Sequence, residues 1–518
     1  MRPDAPPLCV RAAQFAARSA IVDGARILDY AGLDAASIRA ADVLLAGRDD
    51  LREERIAFLV SPGIDWVVTQ WAIWRAGGIA VPLAPSHPPP ELARVIEDSA
   101  ASIVIVATDD IHRIEALAHR AGTRIMPTDR LAEEPHQNRP PPSERQTAEI
   151  AADVRNRRAS ILYTSGTTGR PKGVVATHGN IAAATETLVD AWGWNQNDRI
   201  LHVLPLHHVH GIINVLSCAL WSGACCEFLA RFDARAVWDR LASGEITLFM
   251  AVPTIYHRLI AIWDEASPAE RTRWSEGAAQ LRLMVSGSAA LPVPTLERWR
   301  DITGHTLLER YGMTEIGMAL SNPLHGERRA GTVGTPLPGV EARLVDAEGR
   351  PVPPGTSGQI EVRGPQVFLE YWGRPADTSE AFRDGWFRTG DEAVVEHGRW
   401  RILGRSSIDI LKTAGYKVSA LEIEDVLRTH PGVADCAVVG VPDEDLGERV
   451  VAAVIPVAAT VLDATDLIDW ARQRLAPYKV PRACMFVSDL PRNAMGKVTK
   501  PEIKAMFTTP APGARART

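Results

Sequence analysis

Ile161-Leu162-Tyr163-Thr164-Ser165-Gly166-Thr167-Thr168-Gly169-Arg170-Pro171-Lys172-Gly173 is the stretch on which the fold turns. An apolar, strand-like run passes into hydroxyls and glycines and reaches a lysine. Glycines let backbone N–H groups turn toward a bound anion, hydroxyls add donors, and the lysine adds charge. This is the chemistry of a phosphate-holding loop at the end of a strand. It is not Walker A, whose G-x-x-x-x-G-K-[ST] spacing the stretch does not meet.

Outward from the loop, strand-like and helix-like segments alternate. Arg55 to Ser61 is a short apolar run stopped by Pro62-Gly63, read as a buried strand. Trp66 to Arg75 reads as a helix closed by Gly77-Gly78. Ile79 to Leu83 and Ser102 to Val106 read as further strands. This rhythm predicts an α/β fold with largely parallel sheets. Residues 133–147 are rich in Pro, Glu and Gln and read as a linker or exposed loop. From about residue 340, short alternating segments with Gly/Pro turns suggest a small antiparallel β region. After Gly404-Arg405 the pattern shifts again. Ser419, with Glu422 three residues on, reads as a capping box opening a helix through Leu427. A strand, Val433 to Val441, follows.

The totals limit the function classes. The 518 residues carry 57 basic and 63 acidic side chains, net −6. Nothing in that balance points to nucleic acid or an anionic membrane. Only seven of the basic residues are lysines: 172, 412, 417, 479, 497, 500 and 504. A chain this rich in arginine keeps lysine where a compact point charge serves better than a planar fork. No apolar run reaches the ~18 residues of a membrane span. The N-terminus lacks a secretory core, and residues 11–20 lack the Ser-rich character of a transit peptide. Six cysteines without a C-x-x-C pair read as free buried thiols. Together these features predict a cytoplasmic protein with no obligatory protein partner.

Four further motifs follow the loop in order: Tyr311-Gly312-Met313-Thr314-Glu315, Thr389-Gly390-Asp391, Gly404-Arg405, and Pro491-Arg492-Asn493-Ala494-Met495-Gly496-Lys497. With the loop they resemble the adenylate-forming superfamily, over nearly the whole chain. The resemblance implies an AMP-binding and acyl-binding domain over 1–404 and a hinge over 405–410. A mobile α+β lid over 411–508 and a disordered tail over 509–518 complete it. It also implies activation of a carboxylate as an acyl-AMP, then transfer to CoA, with ATP, Mg²⁺ and CoA as reactants and cofactor. The chemistry is coherent: joining two anions needs positive charge and donors in the site.

Roles carry over position by position. Thr164, Ser165, Gly166, Thr167, Thr168, Gly169 and Lys172 would hold phosphates. Gly287, Ser288, Ala289, Tyr311, Gly312, Met313, Thr314 and Arg405 would line the nucleotide. Asp391 would accept the ribose hydroxyls, and Glu315 would hold Mg²⁺. Lys497 and His208 would be catalytic. The pivot is expected at Asp409, although the spacing from Arg405 is one residue longer than usual. Gly415, Tyr416 and Lys417 would line the CoA tunnel.

The acid is read from Val252-Pro253-Thr254-Ile255-Tyr256-His257-Arg258, which resembles malonate-activating members. A buried guanidinium in an acyl pocket wants an anionic partner, and a carboxylate fits its fork. Arg258, with Ser288, would hold the far carboxylate; His207 and Met318 would shape the pocket, and Met318 would set room for methylmalonate. The alternatives are a short-chain or aryl monocarboxylate ligase with Arg258 outside the pocket, and a nucleotide-binding regulatory protein without turnover.

Overall fold

The computed structural model describes residues 5–133, 154–164, 171–229, 231–413, 416–443, 445–458, 460, 462–493 and 497–508, with only the backbone of Lys417. Most of the expected 133–147 loop and all of the 509–518 tail lie outside these residues.

Two largely parallel sheets carry the first part of the chain. In one, the strand Arg55–Leu59 pairs in parallel with Ile79–Pro82 and Ile103–Val106. Their sequences are apolar and almost wholly buried, as strands covered on both faces must be. Arg158–Thr164 joins this sheet in parallel, then turns back as a hairpin into Lys172–Thr177. Thr164 and Lys172 face each other across the hairpin mouth. The hydroxyl of Thr177 accepts from the backbone N–H of Asn180, and the Asn180 side chain returns the bond. This capping box starts the helix His178–Ala191 and fixes the far end of the hairpin.

The second sheet runs through Arg199–His202, Leu248–Ala251, Leu283–Ser286 and Leu308–Met313, all parallel, then turns back into Gly317–Ser321. Beneath it Trp299 and Trp274 stack on Trp238, with ring centroids 5.2 and 5.7 Å away. The expected antiparallel region is present: Glu341–Val345, Gly358–Arg363, Trp386–Glu396 and Arg399–Arg405 pair in that order. Beyond Arg405 a separate sheet forms from Ile410–Thr413, Tyr416–Ser419, Val433–Asp443, Gly447–Pro456 and Ala483–Phe486, with its own core.

One local expectation is half met. Ser419 caps the helix Ala420–Arg428 through the Glu422 N–H, but the Glu422 carboxylate pairs with Lys479 at 2.6 Å. A full ion pair outbids a second cap bond. All six cysteines are free thiols; Cys9, Cys218, Cys226 and Cys436 are buried. Among the described residues no helix is long and apolar enough to cross a membrane.

Trp299→Ala should cost about 3–5 kcal/mol, because the stacked indole has no neighbour able to collapse into its space. Urea unfolding followed by tryptophan fluorescence measures this; a loss under about 1 kcal/mol would show that the stack is not structural.

Candidate active site

Parallel strands end together on one edge of each sheet, and ligands bind where those ends meet loops. The strand Leu308–Met313 delivers Tyr311 and Gly312, and the turn after it delivers Thr314 and Glu315. The paired strands Trp386–Glu396 and Arg399–Arg405 set Asp391 opposite Arg405. The Tyr311 hydroxyl donates to Asp391 Oδ2 at 2.6 Å, and Arg405 Nε donates to Oδ1 at 3.0 Å. Each carboxylate oxygen has a second lone pair, so Asp391 is oriented but not exhausted.

Glu315 is buried, and its Oε1 accepts from the Tyr371 hydroxyl at 3.0 Å. Burial raises its pKa above the usual carboxylate range. Lys172 Nζ lies 5.0 Å above the ring of that same Tyr371 and 3.0 Å from Asp377 Oδ2. Glu315, Tyr371 and Lys172 therefore form one connected patch. Among the described residues, no three His, Cys, Asp or Glu side chains are grouped to hold a metal ion.

The histidines form a second patch. After the strand Leu283–Ser286, Ser288 adopts φ 71°, a left-handed conformation rare outside glycine. That turns its Oγ to 3.1 Å from His210 Nδ1. His210 opens a π-helical stretch, His210–Ser217, a form concentrated at functional sites. His208 Nδ1 accepts the His210 backbone N–H at 3.2 Å, and the His207 ring lies 5.8 Å from His87. Burial, aided by neighbouring positive charge, lowers the pKa of His208 to about 3, and burial lowers that of His207 to about 4. Both are neutral imidazoles at physiological pH.

Arg258 is not the buried guanidinium that the sequence reading expects. It sits on the second turn of the helix Pro253–Glu265 and is exposed, with no hydrogen bond or ion pair among the described residues. The buried guanidinium belongs to Arg310. It is 3% exposed, and its Nε and Nη2 have no hydrogen-bond partner among the described residues. A Cβ at Gly287 would lie 2.5 Å from Arg310 Cζ, so the glycine is what lets the guanidinium lie flat on the backbone. Burial pushes its pKa down to about 9. Arg310 lies in the buried first half of the strand Leu308–Met313, directly before the Tyr311–Glu315 motif.

Met318 is buried opposite Gly312, and a Cβ at Gly312 would meet its Cε at 2.6 Å. Gly287 is buried and Ala289 exposed. Lys497 approaches from the segment that follows the C-terminal sheet. Its N–H donates to Asn493 Oδ1 at 3.0 Å. Burial first, then Arg405 and Arg310, lower its pKa to about 8, while Asp391 and Glu315 pull the other way. Two motifs from the end of the chain thus converge on the same volume. Ser165, Gly166, Thr167, Thr168, Gly169 and Gly415 lie outside the described residues. Tyr416 is exposed and stacks on Tyr478 at 4.2 Å; the backbone of Lys417 pairs with that of Lys412.

Comparison with known proteins matches residues 9–372 to the AMP-binding enzyme model and 422–497 to the AMP-binding enzyme C-terminal domain. The chain belongs to the AMP-binding enzyme family. Among its relatives is the mitochondrial malonate–CoA ligase of Mus musculus, 48% identical, with 96% of this chain and 90% of that protein covered. The Homo sapiens counterpart is 45% identical, with 95% and 91% covered. The ATP-bound crystal structure of MatB from Rhodopseudomonas palustris superposes with a TM-score of 0.86 at 35% identity, covering 98% and 99% of the two chains. The expectation of a cytoplasmic protein does not stand, because the relatives at 45–48% identity are mitochondrial proteins. Destination is written in short address segments, not in the composition of a folded core.

The catalytic role that the sequence motif implies for Lys497 needs its ammonium form. It exists below its pKa and is lost above it. Acid-dependent pyrophosphate release, as kcat/KM, should therefore fall about tenfold per unit above about pH 8. A profile flat to about pH 10 would contradict the role of the lysine.

Proposed function

We propose that this chain is an AMP-forming malonate–CoA ligase. It joins malonate to the α-phosphate of ATP with loss of pyrophosphate, and then transfers the malonyl group to CoA with loss of AMP. The observation that carries the choice of acid is Arg310. A guanidinium removed from water without a partner costs several kcal/mol, about 3–5 when a buried pair is broken. A second carboxylate on the substrate would repay that cost. The relatives named as malonate–CoA ligases support the same reading.

The remaining parts fit the two steps. Lys497 stands between the reacting carboxylate and the α-phosphate, where a compact cation fits best. Lys172 leaves Asp377 to meet the β- and γ-phosphates, together with the loop from Thr164. Asp391, already oriented by Tyr311 and Arg405, takes the ribose hydroxyls. Glu315 offers the single carboxylate typical of a Mg²⁺ site completed by substrate phosphates and water; Mg²⁺ there supplies charge neutralisation. Ser288, His207 and His208 line the acyl side, where neutral imidazoles donate or accept without repelling Arg310. Met318, wedged on Gly312, limits room for the methyl of methylmalonate, a difference of about 1–3 kcal/mol. The lid pivots at Asp409 between the steps, and the Gly415–Lys417 turn then faces CoA.

Pyrophosphate release with a panel of acids tests the substrate: release with malonate and none with octanoate is expected, and robust octanoate turnover would sink the reading. Arg310→Met should lower kcat/KM for malonate at least a hundredfold, matching about 3 kcal/mol or more. Arg258→Leu, made alongside, should cost far less. The reverse order would return the carboxylate to Arg258. Lys497→Ala should cripple pyrophosphate release while thioester formation from supplied malonyl-AMP persists; equal loss in both would contradict lid alternation.

A further inference from the structure

Asp409 stands between the strand Arg399–Arg405 and the strand Ile410–Thr413, and its two carboxylate oxygens serve different bodies. Oδ2 accepts the backbone N–H of Arg405 at 3.1 Å, on the N-terminal side. Oδ1 lies 2.6 Å from Lys500 Nζ, on the C-terminal side. Lys500 Nζ is also 2.8 Å from Glu424 Oε1, and the Lys500 and Glu424 side chains are only 10% and 5% exposed. Glu424 is fixed in turn, since its Oε1 accepts the Val438 N–H at 2.8 Å.

The charges do not stop there. Glu424 Oε2 is 3.5 Å from Arg428 Nη2, Arg428 Nε is 3.1 Å from Asp435 Oδ1, and Asp435 Oδ2 is 2.6 Å from Arg492 Nη2. Arg492 precedes Lys497 and Lys500 follows it, so one alternating chain of charges grips both flanks of the segment that bears Lys497. Between them, Asn493 and Lys497 close the segment through the Asn493 N–H to Lys497 O bond at 2.9 Å.

A buried ammonium is tolerable only while its carboxylates stay with it. Rotation at residue 409 swings the Arg405 contact and the Lys500 contact apart, and a single carboxylate cannot follow both. The pair Asp409–Lys500 is thus specific to the orientation seen here, in which Lys497 enters the site. Building on the two-step reading above, we propose that Lys500 is a positioning residue. It holds the lid in the adenylating orientation by tying the pivot aspartate to Glu424 inside the lid.

The test separates the two half-reactions in wild type, Lys500→Met and Lys500→Arg. Lys500→Met should lower malonate-dependent pyrophosphate release about tenfold or more, while malonyl-CoA formation from supplied malonyl-AMP changes less than about twofold. Lys500→Arg, which keeps the charge, should restore most of the first rate. A lysine serving only the stability of the lid would lower both rates together, and that result, or an unchanged first rate, overturns the proposal. If Lys500→Met fails to fold, Glu424→Gln must show the same split in smaller measure; equal losses there also overturn it. Should wild type release pyrophosphate with another acid but not malonate, the substrate reading falls, and the split is measured with that acid.

Discussion

The site depends on positive charge held where water is scarce. Buried Arg310 and half-buried Lys497 face the same volume, and Arg405 stands beside them. Against them stand Asp391 and Glu315, each already engaged by a tyrosine hydroxyl. Such a cluster is under-neutralised until anions arrive. Triphosphate and dicarboxylate supply them, and the low local dielectric makes each contact count for more than it would in water. The rest of the fold can be understood as support for that cluster. The parallel strands deliver Arg310 and Tyr311, Gly287 lets the guanidinium lie close, and the lid brings the last cation.

Much of this was legible in the residues. The Tyr311–Glu315 turn, Asp391 and the Lys497 segment require particular chemistry at each position, so their convergence was legible without coordinates. Buried strands were legible for a related reason: continuous apolar runs between Gly/Pro stops admit few other readings. What escaped was tertiary. Arg258 and Arg310 are both arginines beside motifs, and only packing decides which one loses its water. Ser419 and Glu422 have the spacing of a capping box, but Lys479, distant in sequence, claims the glutamate.

The seven lysines illustrate the same limit. Lys172 and Lys497 stand out because they sit inside motifs. Lys500 carries no such mark, and Lys479 had no assignable role. The structure gives both a carboxylate partner at 2.6 Å. A lysine's flexible stem lets it reach such partners across elements that sequence cannot place side by side.

The cysteines complete the picture from the side of the other substrate. Burial raises the pKa of every thiol here, to about 11 for Cys9 and for Cys484. Thiolate, not thiol, attacks disulfides. The cosubstrate CoA carries a free thiol, whereas the protein's own sulfurs are held protonated by burial. Protonation and burial together leave these sulfurs poorly placed to attack a disulfide of the cosubstrate.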